Sequence, residues 1–271
     1  CKRRNKKSSR DYVMKYLYVN GCSYSWGGEF NSDSKFMEQV NTKSDGYSME
    51  QRKSDKQAWH MTKCNPSGEE FESVRLKNTW PFHLGKLLGL NTINESLGCG
   101  SNQRTMRMTL DYIKKQKNIK DTMFIIQLTS PTRTEFYSPT YEDYVLGKVD
   151  SWSYGDKDNL ESKTLKMYYE NFVDIETEHR KMIDLIYSMD CVFKTLGVEY
   201  YFVFGQHTFK EWKDEVKKFK SNLINWDNFI WKGNHSITRC IDRSDYTHYP
   251  ADHLTPKGHE IVAKKIYGDI K

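Results

Sequence analysis

Residues 16–28 read Tyr16-Leu17-Tyr18-Val19-Asn20-Gly21-Cys22-Ser23-Tyr24-Ser25-Trp26-Gly27-Gly28, and this stretch decides the fold. Tyr16 to Val19 is a short aromatic and β-branched run, the composition of a pleated, half-buried strand. Asn20 and Gly21 break it as a turn does. Ser23 follows at once, flanked by Gly21, Gly27 and Gly28. Open α/β sheets place their ligand crevice at the carboxyl ends of the strands, so a serine after a first strand stands where a substrate binds. The neighbouring glycines let backbone approach a substrate and leave amides free to donate to it. The plain alternative is a turn serine that satisfies a local backbone group.

The far end of the chain supplies a candidate partner. Asp252-His253-Leu254-Thr255-Pro256-Lys257-Gly258-His259 precedes an amphipathic stretch from Glu260 to Ile270. Triads are defined in space, so a serine after the first strand and an Asp/His pair before the last helix can meet over one sheet edge. Together the two ends resemble the SGNH (GDSL-type) hydrolases, whose first block is G-D-S-x-x-x-G and whose last is D-x-x-H. Gly21 to Gly27 fits the first block with Cys22 in place of the aspartate, and His253 to His259 fits the last. The resemblance implies a serine esterase in which Ser23 attacks, His253 shuttles the proton and Asp252 orients the imidazole. It also implies that His259 is structural. The family spacing falls on Pro250 rather than on an acid, so either the turn differs or a backbone carbonyl orients the ring. His248 is a second candidate base.

The intervening sequence reads as alternating strands and helices. Thr79-Trp80-Pro81 opens a helix with Phe82, Leu84, Leu87 and Leu88 on its apolar face, and Gly89 ends it. Leu90 to Ile93 is a short second strand leading into Asn94-Glu95-Ser96-Leu97-Gly98-Cys99-Gly100-Ser101-Asn102. That glycine-rich turn opens a helix from Ser101 to Gln116, whose N-terminus is a seat for an oxyanion or is simply capped by Ser101 or Asn102. The turn resembles the family's second block, which implies one backbone N–H to the oxyanion, from Gly98 or Gly100.

Thr122 to Thr129 is the strongest strand, central by its near-continuous apolar run. The family's third block, G-x-N-D, is missing after it, where the sequence reads Thr129-Ser130-Pro131-Thr132-Arg133-Thr134-Glu135. Asn102, or a hydroxyl of Thr129 or Ser130, is the candidate substitute for the absent asparagine. Arg133 and Glu135 are placed along the crevice, or else form a surface ion pair. Leu165 to Leu196 reads as one or two long helices, and Val198 to Phe204 as a further strand. A charged helix is expected near 209–220. The pattern predicts an α/β fold, a flavodoxin-like three-layer α/β/α sandwich around a mostly parallel sheet. Two polar insertions, at 29–78 and 136–163, interrupt a single domain of residues 14–271. The second insertion carries Tyr137, Tyr141, Tyr144, Trp152 and Tyr154, aromatics suited to stacking on a sugar ring or to packing the insertion down.

Composition narrows the function classes. The 271 residues are 37% hydrophobic and 14% aromatic, enough for one sizeable core. The net charge of +6 resides in residues 1–10, because removing their six Lys and Arg from 42 leaves 36 against 36 acids. The body is therefore balanced and no nucleic-acid partner is expected. Residues 1–13 read as a disordered basic extension ahead of Met14, with Cys1 as a lipoprotein cysteine the alternative. No apolar run approaches the ~18 residues of a membrane span. Six scattered cysteines without C-x-x-C spacing suggest reduced thiols and a cytoplasmic setting, with no metal and no cofactor expected.

The expected activity is removal of a small acyl group, acetyl by preference, from a glycan or similar small ester. The rival from another class is a non-catalytic glycan- or partner-binding module on the same fold. A metal-dependent hydrolase built on His248, Asp252, His253 and His259 is a third reading.

Overall fold

The computed structural model describes residues 14–27, 75–98, 100–138, 143–147, 160–206, 224–241 and 254–271. In chain order its elements begin β1 (Tyr16–Asn20), α1 (Ser23–Trp26), α2 (Trp80–Leu88), β2 (Asn91–Asn94), α3 (Asn102–Lys115) and β3 (Thr122–Leu128). They continue β4 (Thr134–Ser138), β5 (Asp143–Gly147), α4 (Leu160–Phe172), α5 (Ile175–Leu196), β6 (Glu199–Phe204) and α6 (Pro256–Ile270).

β2, β1, β3 and β6 lie side by side in that order, all parallel, with Val19 opposite both Asn94 and Ile125 and Ile125 opposite Tyr201. Phe229 and Ser236 make isolated parallel bridges to Phe202 and Phe204, an irregular fifth edge beyond β6. Alternation along the strands sorts the core into two layers. Leu17, Val19, Met123, Ile125 and Val203 pack with Trp80 and Leu84 of α2 and with Val262, Ala263 and Ile266 of α6. Tyr18, Phe124, Ile126, Phe202 and Phe204 pack with Met182, Ile186, Met189 and Phe193 of α5, and α3 adds Met106, Tyr112 and Ile113 at the margin. The result is the expected three-layer α/β/α arrangement. β3 is buried at every position, as the central strand of a sheet covered on both faces must be.

Local chemistry sets the helix ends. α2 starts with Pro81 in its first turn and stops at Gly89, whose φ of 71° suits glycine. Ser101 caps α3 by accepting from the Arg104 N–H, and Thr255 caps α6 by accepting from the Gly258 N–H. The long 165–196 stretch is two helices, because the Asp174 carboxylate accepts from the Thr177 N–H and starts α5 afresh. β1 is also tied to α3 by polar groups: Asn20 Nδ2 donates to the Thr105 carbonyl at 3.1 Å, beside the Tyr18 and Thr109 hydroxyls. Burial pushes the Tyr18 phenol well above its ordinary pKa.

The described part of the second insertion is more ordered than its composition suggests. β4 and β5 pair antiparallel, with Phe136 opposite Val145 and Tyr137 opposite Tyr144. Neither strand alternates apolar with polar residues; the strand signal lies in the aromatic and β-branched residues Phe136, Tyr137, Tyr144 and Val145. The basic extension 1–13, the first insertion up to residue 74 and the charged stretch near 209–220 lie outside the described residues. Among the described residues no helix is long and apolar enough to cross a membrane.

Phe193 is fully buried, with its ring centroid 5.0 Å from that of Phe124 and 4.9 Å from that of Tyr200. Phe193→Ala is expected to cost about 3–5 kcal/mol, read as a lower urea midpoint at unchanged slope.

Candidate active site

β1 ends at Asn20, Gly21 carries the chain past the sheet edge, and Cys22 is extended at φ −107° and ψ −161°. Ser23 is therefore the first residue of α1, at the carboxyl edge of the central sheet and 7% exposed. Gly27, at φ 83°, closes the turn and donates its N–H to the Ser23 carbonyl at 2.9 Å.

Three carboxamides from three other strands reach this short helix. Asn94, at the end of β2, donates from Nδ2 to the Ser25 carbonyl at 2.8 Å. Gln127, on β3, donates from Nε2 to Cys22 Sγ at 2.7 Å and accepts from the Ser25 hydroxyl. Gln206, after β6, donates from Nε2 to the Tyr24 hydroxyl at 3.0 Å. Sequence reasoning set Asn94 at the head of the glycine turn and Gln206 at this sheet edge but gave none of the three a role. The legible signal was Gln127, the polar residue in the otherwise apolar run from Met123 to Leu128.

The glycine turn is fastened to the serine turn. Leu97 donates its N–H to the Gly21 carbonyl at 3.1 Å, and Gly100 donates its own to the Leu97 carbonyl at 3.0 Å. A Cβ on Gly100 would stand 3.0 Å from both carbonyl oxygens, a tight fit that any larger residue could take only if these segments moved apart by a few tenths of an ångström. The two glycine N–H groups differ in their bonding. The Gly100 N–H is spent inside the turn, whereas the buried Gly98 N–H has no acceptor among the described residues. Arg104 donates to the Glu95 carbonyl from the first turn of α3, and burial, then the charge of Arg107, lowers its pKa.

The segment after β3 is fixed from α3. Asn102 Oδ1 accepts from the Thr129 N–H at 2.9 Å, and its Nδ2 donates to the Thr129 carbonyl at 3.2 Å. Its side chain is therefore a clamp between the glycine turn and β3. The Ser130 hydroxyl is engaged with that of Thr132 at 3.0 Å. Among the described residues the Thr129 hydroxyl is buried with no hydrogen-bond partner, and so is Nη1 of Arg133. Glu135 does not turn to Arg133: it takes a two-pronged ion pair from Arg107 at 2.9 and 3.0 Å.

Asp252, His253 and His248 lie outside the described residues. The described chain resumes at Leu254, which is buried in the same apolar cluster as Cys22 and Tyr24. His259 is buried and its Nδ1 accepts from the Trp80 N–H at 3.0 Å, locking α6 to α2 and leaving that nitrogen without a proton. Among the described residues, no group of three or more His, Cys, Asp or Glu could hold a metal ion.

Neither a family model nor a curated protein sequence matches the chain. It is similar to two solved structures. One is a protein described as lipolytic and of the G-D-S-L family from Desulfitobacterium hafniense DCB-2, at TM-score 0.41 and 10% identity over 94% of this chain and 98% of that one. The other is an acetyl xylan esterase from the rumen bacterium Butyrivibrio proteoclasticus, at TM-score 0.40 and 12% identity over 94% of this chain and 63% of that one. These are similarities of overall trace, from which no chemistry follows.

Asn102→Ala strands a buried Thr129 N–H and carbonyl, and is expected to lower stability by about 2–4 kcal/mol in chemical denaturation. Ser130→Ala, which breaks only a local hydroxyl pair, is expected to stay within about 0.5 kcal/mol of the parent.

Proposed function

We propose that the chain is a serine esterase of SGNH type that removes a small acyl group, acetyl by preference, from a carbohydrate or a similar small ester. The observation that carries this reading is the placement of Ser23. It heads a tethered turn at the carboxyl edge of the sheet, next to a glycine turn whose Gly98 N–H is unspent. In the first step Ser23 Oγ bonds to the ester carbonyl carbon and gives its proton to His253. Collapse of the tetrahedral intermediate breaks the bond to the alcohol oxygen, which takes the proton from His253. Water then repeats both steps on the acyl-enzyme and releases the acid. Asp252 orients the imidazole.

Among the donor candidates, the hydrogen bonds favour Gly98 over Gly100, and Thr129 over Ser130 and Asn102. Gly100 and Asn102 have their N–H donors bonded elsewhere and the Ser130 hydroxyl is paired with that of Thr132, while among the described residues the Thr129 hydroxyl has no partner. The carbohydrate part of the proposal draws on the hairpin that follows β3. There Tyr137 and Tyr144 are 57% and 38% exposed, edge to face with centroids 5.6 Å apart, a surface on which a sugar ring can stack.

Hydrolysis of p-nitrophenyl acetate tests the chemistry. Ser23→Ala and His253→Ala are each expected to lose about 10³-fold or more in kcat/KM. Thr129→Val is expected to lose roughly 10²-fold in kcat at nearly constant KM, as removal of an oxyanion donor does. Because the imidazole must be neutral to accept the proton, kcat/KM is expected to rise with pH as His253 loses its proton. A wild-type rate unchanged by Ser23→Ala contradicts the serine assignment, and a strong preference for octanoate over acetate esters contradicts the acyl assignment.

The second reading, a non-catalytic glycan- or partner-binding module, draws on Asn102. Its amide is spent on Thr129 and no asparagine replaces it after β3. Saturable glycan binding that Ser23→Ala leaves intact, with no turnover by the parent, is its signature.

A further inference from the structure

The geometry points to Gln127 as the positioning residue of the Ser23 turn, a role that rests on the serine-esterase reading above. Gln127 stands on β3 where alternation from Met123 and Ile125 calls for a third apolar side chain facing α2 and α6. Instead it is a carboxamide with no exposure at all. An amide in that position is costly unless both ends are bonded. Both ends are bonded, and to the residues that bracket the nucleophile: Nε2 to Cys22 Sγ and Oε1 to the Ser25 hydroxyl.

The neighbouring strands make room for this side chain and for nothing else. Gly21 ends β1 on one side, where an added Cβ would come within 2.5 Å of Gln127 Cβ. Gly205 ends β6 on the other side, where an added Cβ would collide with Gln127 Nε2. Two glycines thus flank one glutamine across three strands, and the glutamine side chain fills the space of all three positions. It has no second place to go, and neither has the turn it holds.

α1 needs such support. Four residues are far below the length at which a helix holds itself in water, and its internal ties are few, chiefly Ser25 N–H to the Cys22 carbonyl and Gly27 N–H to the Ser23 carbonyl. The orientation of Ser23 is therefore supplied from outside. Asn94 and Gln206 brace the flanks through the Ser25 carbonyl and the Tyr24 hydroxyl. Gln127 grips on both sides of the serine. A leucine at 127 would fill the volume and leave Cys22 Sγ and the Ser25 hydroxyl buried without it, freeing the turn to shift by fractions of an ångström. Displacements of that order in a reacting group cost up to about 10²-fold in rate.

The test compares the parent, Gln127→Leu, Gln127→Glu, Ser25→Ala and the double variant Gln127→Leu/Ser25→Ala. Two readouts are taken: kcat and KM on p-nitrophenyl acetate, and amide hydrogen exchange of the peptide spanning 20–27 by mass spectrometry. Gln127→Leu is expected to lower kcat about 10–100-fold with KM within about twofold. Gln127→Glu keeps the acceptor for Ser25 but not the donor to Cys22, and is expected to fall between. Exchange in the 20–27 peptide is expected to quicken in Gln127→Leu while peptides of β3 and α5 keep their protection. In the Ser25→Ala background the Gln127→Leu loss is expected to shrink several-fold, since the two share one interaction.

Additive losses, or exchange that quickens across the whole sheet together, would overturn the assignment in favour of a plain core role. Failure of the esterase reading is seen separately, as a parent rate that Ser23→Ala does not change. The exchange measurement needs no turnover, and unaltered protection of 20–27 in Gln127→Leu contradicts the proposal whatever the activity.

Discussion

At the carboxyl edge of a parallel sheet the strands stop, and most buried main-chain groups beyond them must find partners outside the ladder. In this chain the loops find those partners in one another. The N–H groups of Glu95 and Leu97 reach the carbonyls of Val19 and Gly21, Gly205 reaches that of Leu128, and Thr238 reaches that of Gly205. Asn102 supplies both a donor and an acceptor to Thr129 where no backbone is available. The edge is thus sewn from β2 to the irregular strand beyond β6. Ser23 sits inside that seam, and its accuracy of placement derives from the rigidity of the sheet behind it.

The same constraint explains why glycine and carboxamide residues recur here. Glycines at 21, 100 and 205 allow backbones and the Gln127 side chain to approach at distances a Cβ would crowd or forbid. Carboxamides carry a donor and an acceptor on one rigid group, so each can join two segments that do not pair as strands. Asn94, Asn102, Gln127 and Gln206 all work in this way. Replacing one by an apolar residue of similar size would keep the packing and lose the registration of the edge.

Much of this fold was legible in the sequence. The Tyr16–Val19 and Thr122–Leu128 runs, the proline and glycine that bound α2, and the glycine-rich turn before α3 each report a local preference that the tertiary structure keeps. The β4–β5 hairpin was passed over because its polar and aromatic residues resemble a loop by composition and do not alternate, so only their pairing in space marks the strands. In the site, local chemistry placed Ser23 at the strand end and Gly98 and Gly100 in its company. It did not assign Asn102, which as a sequence reads equally as a cap or a donor and in space joins the start of α3 to Thr129, leaving the cap to Ser101. Gln127 stands out as the polar residue of an apolar strand, but its role was unreadable for a different reason. Its partners lie more than 100 positions away, at Cys22 and Ser25, and only the pairing of β1 with β3 brings them together.

The central claim is that one serine among many at this edge is the nucleophile. Reaction of the parent protein with a fluorophosphonate, followed by peptide mass spectrometry, tests it most directly. The account predicts a single adduct, on Ser23, formed stoichiometrically and prevented by prior unfolding. An adduct on Ser25 or Ser130, or a folded protein that stays unmodified at Ser23, would contradict it.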